Sequence, residues 1–408
     1  MEIRKAMLKE ASAQRIKLVT LMAYVSMPLS GFVTDIYLPS FPAMANSLAV
    51  QEHDIQITLT AYLLSYGISQ LFIGNILDSI GRYHPRLIAL TLVILSSLLI
   101  AKSDSTLIIC LLRIVQGIAI STLVVATRAL FVDLYQGERL KNYLSYFTIV
   151  WSCGPILAPF LGGYLEKIFD WQANFYFLAF YASALLLFDL FYGGETIAQK
   201  KRINLKDNLV LYKMMLQNKL FLLGILVLGL SYSIVMLFNI TGPFIIENRF
   251  HFTAVTIGHC TLALGFSWMI GGFIAKPRLK LEFKSRIVFP TLFQAILIII
   301  FIMISLVAQN LYIMISFAFL IHIISGILFT SFFTSSMLFF PQHAGTAGGL
   351  MGGLVYIITS LSTFVIALSG QVTTQFGLAW RYLIFAALLT WIIIRMWRRQ
   401  DTHLKKKI

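Results

Sequence analysis

Twelve apolar stretches, each close to twenty residues long, recur along this chain and set what it can fold into. They fall at about 18–41, 55–77, 85–102, 105–130, 142–165, 172–192, 220–245, 254–275, 286–308, 311–338, 345–370 and 379–398. A helix needs about twenty apolar residues to cross a bilayer, so each reads as a membrane span. Of the 408 residues, 58% are hydrophobic and 12% are charged. A water-soluble domain carries about 25% charged residues. The expected class is therefore an all-α membrane protein.

The basic residues orient the spans. The net charge of +15 would suggest nucleic acid in a soluble protein, but here the cations lie between apolar stretches. With both termini cytoplasmic, the inner segments hold 27 of the 32 Lys and Arg. The outer segments hold only Lys102, Lys167, Arg249 and Arg381. That asymmetry follows the positive-inside rule. The expected location is a membrane crossed many times, with both termini on its cytoplasmic side.

The first 17 residues include Arg4, Lys5, Lys9, Arg15 and Lys17, and a full span follows without a cleavage site. The longest polar interval, 193–219, holds Lys200, Lys201, Arg202, Lys206, Lys213 and Lys219. It divides the chain into six-span halves, 1–192 and 220–408, and reads as a basic linker on the inner leaflet. Two such halves suggest the internal repeat of secondary transporters, whose substrate site lies at the repeat interface. Gly74-Asn75-Ile76-Leu77-Asp78 ends span two, and Gly272-Phe273-Ile274-Ala275-Lys276 ends its counterpart, span eight.

Asp35 reads as the one carboxylate deep in a span, and Arg113 as the one deep base. An ionisable group at membrane depth is expensive and by default functional. Spans one and four run in opposite directions, and both residues fall roughly 10–12 Å below the outer rim at 1.5 Å per residue. Desolvation favours the protonated acid, while Arg113 and cavity water favour the ionised one, so Asp35 is a candidate proton carrier. The alternative is a static ion pair that fixes helix packing. Gln116 lies on the same face as Arg113. Tyr37, Asn239 and His322 complete the candidate proton and substrate set, though a hydrogen-bonded core role suits His322 as well.

Pro155 and Pro159 remove helix hydrogen bonds one turn apart, while Gly162 and Gly163 permit close approach of a neighbour. Span five is thus expected to bend and pack tightly during gating. Gly345–Gly349 and Gly348–Gly352 are small-xxx-small pairs in span eleven. Asp189 near the end of span six is expected to reach the headgroups. Phe332, Phe333, Phe339 and Phe340 read as packing or lipid contacts. Cys110, Cys153 and Cys260 read as small buried hydrophobes. No phosphate-binding loop, nucleophile–base arrangement or metal cluster is evident in the sequence. Neither enzymatic activity nor a cofactor is expected, and any pumping would draw on an ion gradient.

These residues resemble a family. Gly74-x-x-x-Asp78-x-x-Gly81-Arg82 is similar to the signature between spans two and three of the major facilitator superfamily. Arg113-x-x-Gln116-Gly117 and Pro155-x-x-x-Pro159-x-x-Gly162-Gly163 resemble the span-four and span-five motifs of its twelve-span drug:proton antiporters. Thr34-Asp35-Ile36-Tyr37-Leu38-Pro39-x-x-Pro42, Arg128-Ala129-x-x-x-Asp133-Leu134, Ala344-Gly345-Thr346-Ala347, Trp171-x-x-x-Phe175 and Glu195-Thr196 resemble the Bcr/CflA subfamily. Ser79, Ala158 and Gln172 depart from the usual pattern.

The resemblance implies two six-helix bundles around a central cavity, with spans one and four lining it. It implies proton-driven export of a drug, metabolite or siderophore by antiport, and a latch at the inner side from Asp78, Gly81, Arg82, Arg128 and Asp133. Expected partners are a small-molecule substrate, protons and the bilayer, with no nucleic acid and a monomeric chain. Two rival readings are a proton-coupled importer of a metabolite or ferric siderophore, and a transport-inactive receptor or scaffold.

Overall fold

The first span is not one helix. Pro28 opens a new segment after α1 (Ala13–Ser26), giving α2 (Pro28–Asp35), and a 3-10 turn at Leu38–Ser40 leads into α3 (Phe41–Ser47). Prolines at 28, 39 and 42 each lack the amide a continuous helix would use. The computed structural model describes residues 7–197, Lys200 and residues 205–405. Arg4, Lys5, Lys201 and Arg202 lie outside the described residues.

The remaining spans are long helices: α4 (Glu52–Ile80), α5 (Tyr83–Ala101), α6 (Thr106–Leu134), α7 (Gly137–Phe169) and α8 (Gln172–Tyr192). After a linker helix α9 (Leu205–Gln217) come α10 (Lys219–Phe244), α11 (Ala254–Arg278) and α12 (Phe289–Val307). The last three are α13 (Leu311–Met337), α14 (Ala344–Leu368) and α15 (Gln375–Lys405). Among the described residues, 11 helical segments are long and apolar enough to cross a bilayer. The 33-residue α7 provides the twelfth crossing.

Large apolar side chains such as Phe180, Val307 and Trp391 are exposed. Lipid is their natural surrounding, so they are no folding liability. Inside, each half uses a Gln–Ser clamp. Gln116 on α6 donates to Ser97 on α5 (2.9 Å), and Gln294 on α12 donates to Ser325 on α13 (2.8 Å). The amide and hydroxyl have exchanged helices between the halves.

The basic loops define one face of the molecule, called here the basic face, and the opposite one is the far face. The two bundles meet closely toward the far face. A Cβ on Gly163 would collide with the Ala254 backbone, and one on Gly258 would meet the Pro159 carbonyl at 2.8 Å. Gln56 donates to the Ile240 carbonyl (2.9 Å), and Asn248 donates to Glu52 (3.3 Å). Midway, Gly67 of α4 crosses Gly353 of α14, where a Cβ on Gly67 would lie 2.8 Å from the Gly353 carbonyl. Ser360 donates to the Thr60 carbonyl there (3.0 Å). Toward the basic face the same two helices part: a Cβ on Gly74 or Gly345 would meet nothing within 4 Å. The molecule is closed on the far face and parted on the basic face.

Candidate functional site

Asp35 ends α2, immediately before the break in the first span. The break leaves the Val33 carbonyl available, and Arg113 of α6 donates to it (2.8 Å). A broken helix at membrane depth commonly offers such freed backbone groups to a site. Arg113 also donates to Gln116 Oε1 (2.8 Å). Its guanidinium lies between the rings of Tyr37 and Tyr62, 4.5 Å and 4.4 Å from their centroids. Planar stacking of this kind is a property of arginine that lysine lacks. Tyr37 is held in turn by Thr58 (3.2 Å).

The sequence expectation of a matched acid and base needs correction in one respect. Both residues are buried in one layer, and Asp35 feels the field of Arg113. They form no ion pair. Both Asp35 oxygens are buried with no hydrogen-bond partner. Arg113, fully enclosed, is turned to the carbonyl and the amide instead.

The field of Asp35 extends to tyrosines of both bundles, Tyr62 of α4, Tyr232 of α10 and Tyr356 of α14. Tyr66 and Tyr356 bridge the bundles with ring centroids 4.3 Å apart. Tyr232 continues the series to Trp268 (6.2 Å), which packs on Phe329 (5.1 Å). Sequence reading missed these rings. The available signal was tyrosine at mid-span, where it is unusual because its ring prefers the membrane interface.

His322 is elsewhere. It is enclosed in the second bundle, with Nε2 3.2 Å from the Tyr382 hydroxyl and its ring edge-on to Phe238. Asn239 is half-buried on α10, its amide 3.9 Å from Met236 Sδ. Neither joins Asp35.

Span five is positioned by its glycines and prolines. Pro155 packs where a Cβ on Gly31 would fall, and Gly162 lies against the Ile36 carbonyl. These contacts pack α7 closely on α2, beside the break next to Asp35. Gly163 and Pro159 instead face α11 of the other bundle.

At the basic face Arg82 pairs with Asp133 and with Asp78 (3.1 Å). Gly81, at φ +101°, makes the turn that presents it. Glu195 accepts N–H bonds from Arg82, Tyr83, Thr196 and Ile197. Thr196 donates to Asp133 (2.6 Å). Arg128 lies on the same stretch of α6, five residues before Asp133. Asp78, Arg82, Asp133 and Glu195 thus form a network within the first bundle, where the bundles are parted.

Two smaller expectations are overturned. Asp189 does not reach the headgroups: it is buried and bonded to Arg86 at 2.6 Å, a buried ion pair of the kind that Asp35 and Arg113 do not make. Arg86 looked like a loop charge because it lies one turn inside α5. Cys153 is exposed rather than buried, while Cys260 is buried. Among the described residues no group of His, Cys, Asp and Glu could hold a metal.

The model of the Major Facilitator Superfamily matches residues 23–363. The chain belongs to that superfamily. It is 26% identical over 373 residues to an uncharacterized MFS-type transporter, YdgK, of Bacillus subtilis, covering 89% of this chain and 92% of the relative. It is 35% identical over 185 residues to a bicyclomycin resistance protein homolog of Haemophilus influenzae, covering 45% of this chain and 46% of that protein. It is 32% identical over 165 residues to multidrug resistance protein D of Escherichia coli, 40% and 42% of the two chains. The last two matches therefore span under half of either protein. Among solved structures, a D-xylose-proton symporter superposes with TM-score 0.72 at 13% identity, over 94% of this chain and 97% of that one. The nucleoside transporter NupG gives 0.68 at 17%, over 93% and 98%. At these identities the likeness shows the fold. Two of these relatives carry resistance names, one for bicyclomycin and one for multiple drugs. The chain is a multi-pass membrane transporter.

Proposed function

We propose that this transporter exchanges protons for a drug-like organic molecule at Asp35, exporting the molecule across the inner membrane by alternating access. The observation that carries the reading is the Asp35 carboxylate, buried without a hydrogen-bond partner and within electrostatic reach of tyrosines from both bundles. A proton arriving at Asp35 removes the charge whose field reaches those rings, and a proton leaving restores it. Substrate among the same rings competes for that position, which is sufficient for antiport. The names of the relatives, bicyclomycin resistance and multidrug resistance, support the substrate class.

In this reading 1–192 and 220–408 are the rocking halves, the basic face is cytoplasmic, and the arrangement described is open to the cytoplasm. The bulk of the proposed substrate contact comes from Tyr62, Tyr66, Tyr232, Trp268 and Tyr356. Arg113, walled behind Tyr37 and Tyr62, sets the field at Asp35 without touching the substrate. The test is transport in proteoliposomes with an imposed pH gradient, using a panel of antibiotics. An acid interior, placed on the releasing side, drives accumulation in the expected antiport. Movement of proton and substrate in the same direction would replace export with import.

A further inference from the structure

Helix α9 between the two halves has one face on the protein and one face without protein cover among the described residues. Tyr212 and Met215 are buried, and Tyr212 donates to the Leu71 carbonyl of α4 (2.8 Å). The same helix packs on α10 and α14 of the second half. It therefore bridges the bundles at the end where α4 and α14 part. Its outward face exposes Leu209, Val210 and Met214, with Val210 65% exposed, alongside Lys206 and Lys213. Asp207 is the one acid on α9.

Depth and charge identify what covers that face. Leu71 lies within α4, about 13 Å from the helix end at Ile80 at 1.5 Å per residue. A tyrosine side chain reaching that carbonyl holds α9 near headgroup level, not out in water. Leu, Val and Met flanked by lysines suit an interface where apolar side chains enter the acyl boundary and lysine stems snorkel to phosphates. We infer that α9 docks on anionic phospholipid, and that seating it there favours the arrangement parted at the basic face. The attraction of anionic headgroups for Lys206 and Lys213 is transmitted through Tyr212 to α4 of one bundle and through the packing of α9 on α10 and α14 to the other.

The experiment uses the full-length protein in nanodiscs of zwitterionic phosphatidylcholine or anionic phosphatidylglycerol. A Val210→Trp variant is compared with its parent for quenching by brominated lipid. Spin labels at positions 75 and 345, in a background with the three cysteines replaced by serine, report opening at the basic face. Quenching is expected in both lipids, stronger in phosphatidylglycerol. The Lys206→Gln/Lys213→Gln double variant should remove the difference. The open population should rise at least about threefold in phosphatidylglycerol. Tyr212→Phe should keep the quenching and lose that rise. A position 210 that stays unquenched in both lipids, and so is covered by protein or water, overturns the inference. Equal quenching with no effect of the lysine variants does so too. Proton-driven transport in proteoliposomes is measured apart from the quenching at position 210 and the lysine variants, so failure of the transport reading is seen separately.

Discussion

Asp35 and Arg113 share a layer of the first bundle without bonding to each other. The guanidinium donates from Nη1 to Val33 and Gln116 and stacks on two tyrosine rings, whereas the carboxylate accepts nothing. A direct ion pair would fix the acid in its ionised form and oppose proton exchange. Separation lets the base supply a field while the acid remains free to change state.

Asp35→Asn should therefore abolish proton-coupled movement while leaving the fold intact. No bond is lost, so the melting free energy should change by no more than about 1 kcal/mol. Transport against a gradient should fall at least about a hundredfold, with downhill exchange of substrate retained. Proton release on substrate addition, followed with a pH dye, checks this. A retained signal would refute coupling at Asp35.

Arg113→Lys should behave differently. Lysine keeps the charge but loses the planar stack between Tyr37 and Tyr62 and one of the two hydrogen bonds. The loss should be roughly 2–4 kcal/mol of stability. Thermal unfolding in detergent measures it, and an unchanged midpoint would show that the sandwich contributes nothing.

Gly162 and Gly163 are adjacent yet face different bundles. Gly162→Ala pushes on the Ile36 carbonyl inside the first bundle and should destabilise by about 1–3 kcal/mol. Gly163→Ala pushes on Ala254 across the seam. It should leave stability nearly unchanged and shift the population toward an open far face. Cysteine labelling near the far-face ends of α7 and α11 reports the shift.

Glu195 gives a pH prediction. Burial alone would raise its carboxyl, but the backbone N–H groups of Ile197, Arg82, Tyr83 and Thr196 hold it below the usual glutamate range. A depressed acid stabilises the fold above its ordinary value of 4.5, and that contribution is lost as pH falls through the lowered value. Glu195→Gln should thus melt earlier than wild type at pH 6–7, by roughly 1–2 kcal/mol. The gap should close toward pH 3. A gap independent of pH would assign the effect to packing.

The spans, the basic face and the Asp35 layer were legible because length, charge and rise per residue are one-dimensional quantities. Rotation about a helix axis is not. Depth placed Arg113 beside Asp35 but could not show that Arg113 turns to Val33. The same blindness put His322 among the site candidates, although its side of α13 faces Tyr382. Asp189 and Arg86 escaped notice as a pair because each lies near a helix end, where charge normally reads as a topology signal. The tyrosines are single residues scattered over α4, α10 and α14, and only the crossing of those helices assembles them.

That crossing at Gly67 and Gly353 makes the two halves a lever. At the glycines themselves backbone approaches backbone, flanked by the Leu71 and Ile357 side chains. The helix α4 extends about 20 Å from there to its basic end at 1.5 Å per residue. A tilt of roughly 15° swings that tip by about 5 Å, close to one helical turn. Side chains added at either glycine would move the hinge outward and lengthen the throw needed to close the opposite mouth.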